Sequence, residues 1–86
     1  MQEKGEIMLT GNQLRIVRNA LGLTGQDMAE IMYCTKQQIS SIETGKSNGK
    51  KSLNYYTLVI KEVIKNLDDS DKRTNCIKLI RIFESD

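Results

Sequence analysis

The sequence predicts an all-α domain of five short helices, and three observations support this fold class. Thr10, Thr24 and Thr35 each stand three residues before Gln or Asp, which is the capping-box pattern of a helix start. Glycines at 22 and 45 stand where helices would end. No segment shows the alternation of a strand, and 86 residues with 38% hydrophobic and 28% charged content are typical of one globular domain.

The first half of the chain predicts three helices, over about residues 11–21, 25–32 and 36–44. A turn at Tyr33 and Cys34 separates the second from the third. Apolar residues within these segments recur at helical intervals and form the predicted core stripe: Leu14, Val17, Leu21, Met28, Ala29, Met32, Ile39 and Ile42.

The second half predicts two longer helices. Ser52 is expected to cap the fourth, over about 53–67, and Ser70 to begin the fifth, which continues to about residue 84. The apolar residues of the fourth helix are Leu58, Val59, Val63, Ile64 and Leu67, and those of the fifth are Ile77, Leu79, Ile80, Ile82 and Phe83. Because the latter lie on more than one side, the fifth helix is expected both to complete the core and to form a dimer interface.

Several classes of function are excluded by what the sequence lacks. It has no histidine, and Cys34 and Cys76 show no metal-ligand spacing, so we expect no metal, no cofactor and two cysteines packed as small apolar residues. There is no nucleophile–base set and no phosphate loop, which argues against an enzyme. No apolar run approaches the roughly 18 residues of a membrane span, and the start resembles no signal peptide, so a cytoplasmic protein is expected.

Charge is distributed unevenly along a chain whose net charge is only +2. Residues 33–52 contain four lysines against one glutamate, whereas the tail from residue 68 is slightly acidic. A basic middle indicates a localised anionic partner, although a solvated lysine loop would look the same.

The third predicted helix, TKQQISSIETGK, has an unusual outward face. On a helical wheel Ile39 and Ile42 define the buried direction, and Gln37 points away from it. The side chains on or beside the outward face are Lys36, Gln37, Ser40 and Ser41. In a DNA major groove Gln can pair with adenine, Lys with guanine and Ser with either, and no outward acid would repel phosphate. A merely solvated polar face is the alternative.

Residues 24–44 have the dimensions of a helix-turn-helix. The run LGLTGQDMAEIMYCTKQQISSIETGK resembles the lambda-repressor/Cro-type (XRE-type) helix-turn-helix family, most strongly in MAE and ISSIETGK. The resemblance covers about residues 9–67. It implies a flexible arm over 1–8, a five-helix lambda-repressor-like domain whose DNA-binding part is 9–67, and a C-terminal helix within 68–86.

The resemblance also implies roles for individual residues. Base-reading positions are matched by Lys36, Gln37 and Ser41, with Ser40 as a base or phosphate contact. Positions that hold the sugar-phosphate backbone are matched by Gly25, Gln26, Lys46, Ser47, Asn48, Lys50 and Lys51. Arg18 and Glu43 match an ion pair between the first and third helices, which we interpret as scaffold.

Three positions depart from the family pattern. Gly25 stands where a glutamine is frequent, with Gln26 next to it as a substitute contact. Tyr33 replaces the usual glycine of the turn, which requires either an unusual backbone or a different turn. Ile31 is apolar at a position that usually faces solvent. It is either an isolated surface residue or part of a contact with a partner. Of the adjacent Tyr55 and Tyr56, one is expected to pack and the other to reach a phosphate.

The resemblance thus implies a DNA-binding transcriptional regulator, a repressor of phage, mobile-element or autoregulatory type. It would bind a palindromic double-stranded operator as a homodimer. The alternative is an antitoxin-like or other module that binds a protein partner through Ile31 or the last helix, and the two functions are compatible.

Overall fold

The computed structural model describes residues 8–46 and 49–85. Within these residues all regular structure is helical, as predicted. The helices are α1 (Gly11–Ala20), α2 (Gly25–Met32), α3 (Lys36–Thr44), α4 (Lys50–Lys65) and α5 (Ser70–Glu84). None of the described helices is both long enough and apolar enough to cross a membrane. The five-helix, all-α class is confirmed.

The three predicted capping boxes are present at the starts of α1, α2 and α3. Each threonine hydroxyl accepts a hydrogen bond from the backbone N–H three residues on, and that residue's side chain accepts one from the threonine N–H. Asp27, the shortest of the three partners, reaches the Thr24 N–H at 2.9 Å. This hydrogen bond lowers the pKa of the Asp27 carboxyl. Local capping chemistry therefore determines where these helices begin.

The turn between α2 and α3 has a left-handed residue, although that residue is a bulky tyrosine rather than a glycine. Tyr33 adopts a left-handed conformation, with φ 58° and ψ 46°, as the glycines that follow α1 and α3 do. Its side chain is 93% exposed, so no packing holds it there. Of the two alternatives that the sequence left open, the unusual backbone is the one observed.

The start of α4 differs from the prediction. The helix begins at Lys50, and its N-cap is Gly49, which offers no side-chain hydrogen bond. The predicted cap at Ser52 is wrong, because lysine is a good helix former and the helix extends backwards through Lys50 and Lys51. Both lysines therefore belong to the first turn of a helix rather than to a loop.

The core contains all eight apolar residues predicted for the first three helices. It extends into α4 through Tyr56, Thr57, Ile60 and Ile64. Leu58 is 52% exposed, whereas the tyrosine is fully buried, so hydrophobicity alone did not identify the inner face. From α5 the core receives Cys76 and Ile80.

A close approach between α1 and α3 fixes the position of α3. A methyl group added at Gly11 would lie 2.3 Å from the carbonyl oxygen of Ile42 and 2.7 Å from that of Glu43. Only glycine fits at this crossing without movement of the backbone. α1 also packs on α4 and α5, so it links the two halves of the domain.

Candidate nucleic-acid interface

Helix α3 is held by one side and leaves the other free. Ile39, Ile42 and Glu43 are buried, with 1%, 7% and 8% of their surface exposed. Lys36, Gln37 and Ser40 are exposed. The helix therefore presents lysine, amide and hydroxyl groups from a firmly seated backbone, as direct readout of bases requires.

Ser41 lies at the edge of this face and is half-buried. It lines a crevice of about 180 Å³ between α3 and α4, whose other lining residues include Cys34, Ser52 and Tyr55. Its hydroxyl is thus less accessible than the Gln37 amide. Burial raises the pKa of the Cys34 thiol, which fits a packed thiol rather than a reactive one.

A buried polar network ties α3 to α1 and α4. Arg18 holds Glu43 with two hydrogen bonds, Nε to Oε2 at 2.7 Å and Nη2 to Oε1 at 3.0 Å. Its third donor group, Nη1, donates to the carbonyl of Leu23 at 2.8 Å. The Tyr56 hydroxyl donates to Glu43 Oε2. The Glu43 carboxylate thus accepts hydrogen bonds from donors on α1 and α4, and these bonds hold α3 in place.

The network explains why the pKa values of its two donors, Arg18 and Tyr56, are raised. The hydrogen bond to Glu43 raises the pKa of Arg18 above its ordinary value. Burial, followed by the hydrogen bond to Glu43, raises the pKa of Tyr56 well above 10. The resemblance paired Arg18 with Glu43 but did not identify Tyr56 as the third member of the network. The sequence did contain a signal for Tyr56, because it shows two adjacent tyrosines of which one could face the core. It did not show which of the two, since Tyr55 was an equal candidate.

The beginnings of α2 and α3 lie side by side. A methyl group at Gly25 would make an ordinary contact, 3.9 Å, with Cγ of Lys36. The Gln26 amide donates to Glu30 Oε2 at 3.3 Å, so this side chain lies along its own helix in the structure. The positive end of α2 and the Lys36 stem thus share one edge of the outward face.

A second group of basic residues surrounds the start of α4. Lys46, Lys50 and Lys51 are exposed, and the first turn of α4 has no side-chain cap at Gly49. Tyr55, one turn further along, is 48% exposed and lines the crevice with Ser41. Tyr56 is the buried member of the pair. Ser47 and Asn48, also predicted to hold phosphate, lie outside the described residues, as do residues 1–7 of the arm predicted over 1–8.

Among the described residues, no three His, Cys, Asp or Glu side chains lie close enough together to hold a metal ion. Ile31 is 37% exposed at the end of α2.

Residues 14–48 match a family model described as helix-turn-helix. The matched segment contains α2, the left-handed turn and α3, and it confirms the resemblance drawn from the sequence. No curated protein and no solved structure gave a significant match.

Proposed function

We propose that this protein is a sequence-specific repressor of phage, mobile-element or autoregulatory type. Its helix-turn-helix is of the lambda-repressor/Cro (XRE) type, which is typical of DNA-binding transcription regulators. The protein acts on double-stranded DNA in the cytoplasm. The observation that carries the proposal is the seating of α3: its apolar side is buried, and its exposed side consists of groups that recognise base edges.

Base reading is assigned to the exposed half of α3. Gln37 faces away from the core and can make two hydrogen bonds to adenine. Lys36, beside the start of α2, can donate to guanine. Ser40 is exposed and Ser41 half-buried, so Ser41 reads a base only where the duplex reaches the edge of the crevice.

Phosphate contacts are assigned to both sides of that face. On one side are the backbone N–H groups of Gly25 and Gln26. On the other are the side chains of Lys46, Lys50 and Lys51 and the first turn of α4. Ser47 and Asn48, which stand between these lysines in the sequence, are assigned to the same contacts. These contacts supply affinity that depends on salt but carry no sequence information. Tyr55 is added to this group because its ring is exposed beside Ser41.

The active form is proposed to be a homodimer on a palindromic operator. Residues 9–67 are the DNA-binding domain, and residues 68–86 form the dimer interface. On α5, Ile82 is 58% exposed, and Leu79 and Phe83 next to it are only partly buried. A two-fold contact through this face would cover Ile82. It would set two copies of α3 on half-sites about one helical turn apart.

Selection of bound sequences from a random duplex pool tests the proposal. We expect an enriched palindrome and binding that weakens steeply as salt rises. Enrichment of no motif, with equal affinity for every duplex, would contradict it. Sedimentation of the wild type and of Ile82→Glu then separates the dimer from DNA recognition, because the variant is expected to sediment as a monomer.

A further inference from the structure

A groove of about 470 Å³ lies between the C-terminal half of α4 and helix α5. Its floor is apolar and consists of Ile64, Ile77 and Ile80. Its rim is basic and includes Lys65, Arg73 and Arg81. None of its lining residues comes from α2 or α3, so the groove does not belong to the surface proposed to read DNA.

The rim carries positive charge that the described structure does not neutralise. Lys61, also on the rim, forms an ion pair with Glu84, Nζ to Oε2 at 2.6 Å. Arg73 donates to the carbonyl of Leu67 at the connection between the helices. Lys65 and Arg81 are exposed and have no carboxylate within ion-pair distance among residues 8–46 and 49–85. Two cations therefore flank an isoleucine floor, and no carboxylate of the described part of the chain pairs with them.

Apolar surface continues from the floor into solvent. Ile77 is 38% exposed on α5, so part of the apolar lining of the groove faces solvent. Covering this side chain by a partner is favourable, because it removes apolar surface from water. This surface distinguishes the groove from a site that holds only phosphate.

The groove has the length of a short helical contact. Arg73 and Arg81 are eight residues apart on α5, which at 1.5 Å per residue is about 12 Å. A partner helix with apolar anchors at i, i+3 or i+4, and i+7 spans about the same distance. Such a helix could seat its anchors on the isoleucines and bring carboxylates beside Lys65 and Arg81.

We propose that this groove binds an acidic amphipathic helix of another protein. Charge complementarity selects this occupant: a second copy of the chain, docked by a two-fold axis through the groove, would place Lys65 and Arg81 against the same cations. Duplex DNA would neutralise the rim but leave the exposed side of Ile77 uncovered. The interaction is separate from operator binding, and the two are tested by different variants.

Selection from a library of displayed random 16-residue peptides tests the proposal on the full chain. Binders to the wild type are counter-selected on Arg81→Glu. We expect enriched peptides that combine Asp or Glu with apolar residues at helical spacing. Enrichment of neutral or basic peptides, or of none, would overturn the proposal.

Fluorescence anisotropy with one selected, labelled peptide gives the quantitative test. Arg81→Glu is expected to weaken binding about tenfold, because it replaces a rim cation with a repelling carboxylate. Lys78→Glu makes the same change of charge on α5 outside the groove and is expected to have little effect. Equal losses in both variants would mean that only net charge matters and would overturn the assignment.

Two further measurements test the other occupants. Ile77→Gln is expected to weaken peptide binding while leaving sedimentation unchanged, and loss of a dimer in this variant would identify a second copy as the occupant. A random duplex is expected to bind the wild type and Arg81→Glu alike. Selective loss of duplex binding in Arg81→Glu would assign the groove to DNA instead.

Discussion

The outward face of α3 and the α4–α5 groove are both polar or basic, yet they differ in what surrounds the charge. On α3, lysine, amide and hydroxyl groups stand over a fully buried apolar side. In the groove, cations flank Ile77, which is 38% exposed, and the buried Ile64 and Ile80 lie beneath them. Base edges and phosphates offer hydrogen bonds but little apolar surface, apart from thymine methyls, whereas a partner helix offers an apolar stripe. The position of the apolar side chains therefore separates two surfaces that charge alone would group together.

The largest expected effect concerns the network that seats α3. Glu43→Ala would leave the partly buried Arg18 guanidinium and the buried Tyr56 hydroxyl without their acceptor, at a cost of about 3 kcal/mol in the free energy of unfolding. Urea unfolding measures it. Glu84→Ala, which breaks the partly exposed pair with Lys61, is the matched control and should cost under about 1 kcal/mol. Equal costs would show that the network does not seat α3.

Gly11→Ala tests the crossing beneath the same face. The added methyl would overlap the Ile42 and Glu43 carbonyls, so we expect a loss of about 2 kcal/mol of stability as α1 and α3 move apart. Thermal unfolding measures it. Gly25→Ala, where the added methyl would make only an ordinary contact with Lys36, should change stability far less. A neutral Gly11→Ala would mean that the helices can separate at no cost.

Gln37→Ala separates base reading from general affinity. It should cost about 1–3 kcal/mol at one base-pair position of the selected operator and relax the preference there. Lys50→Ala should weaken binding to all sequences alike and reduce the salt slope by about 1. Quantitative band-shift titrations on operator variants measure both. Neither variant should alter peptide binding in the groove, and a Gln37→Ala that kept affinity and preference would refute the α3 assignment.

Alkaline pH should expose the contribution of Tyr56. Its pKa is raised above the ordinary value of 10, so in that range the unfolded chain releases this proton before the folded one. The stabilisation is complete below pH 10 and is lost as pH rises above it, by up to about 1.4 kcal/mol per pH unit. Unfolding from pH 8 to 11 should show a steeper decline for the wild type than for Tyr56→Phe. Parallel curves would contradict this.

The smallest expected effect is a gain of stability in the turn that leads into α3. Tyr33→Gly removes a side chain that is 93% exposed and relieves the left-handed strain, so we expect about 1 kcal/mol of stabilisation. Thermal unfolding measures it, with Tyr33→Ala as the control that keeps the strain. If Tyr33→Gly also weakened binding to every duplex equally, the tyrosine would have a further role at the phosphates.

The first three helices were predictable because their determinants are local. Each capping box involves two residues three apart, and each buried stripe recurs at the helical period. The same stripe predicted the outward orientation of Gln37. The second half was less predictable, because α4 has apolar residues on several sides and only contact with the other helices selected Tyr56 and Ile60 over Leu58.

The sequence by itself determined the all-α class, the start and end of α3, and the polarity of its outward face, since these follow from interactions within one turn or two. Only the tertiary structure decided that Tyr56 completes the Arg18–Glu43 pair, that α4 begins at Lys50, and that Ile77 stays exposed beneath a basic rim. Burial depends on which helices meet, and that is a property of distant residues packed together rather than of neighbours along the chain.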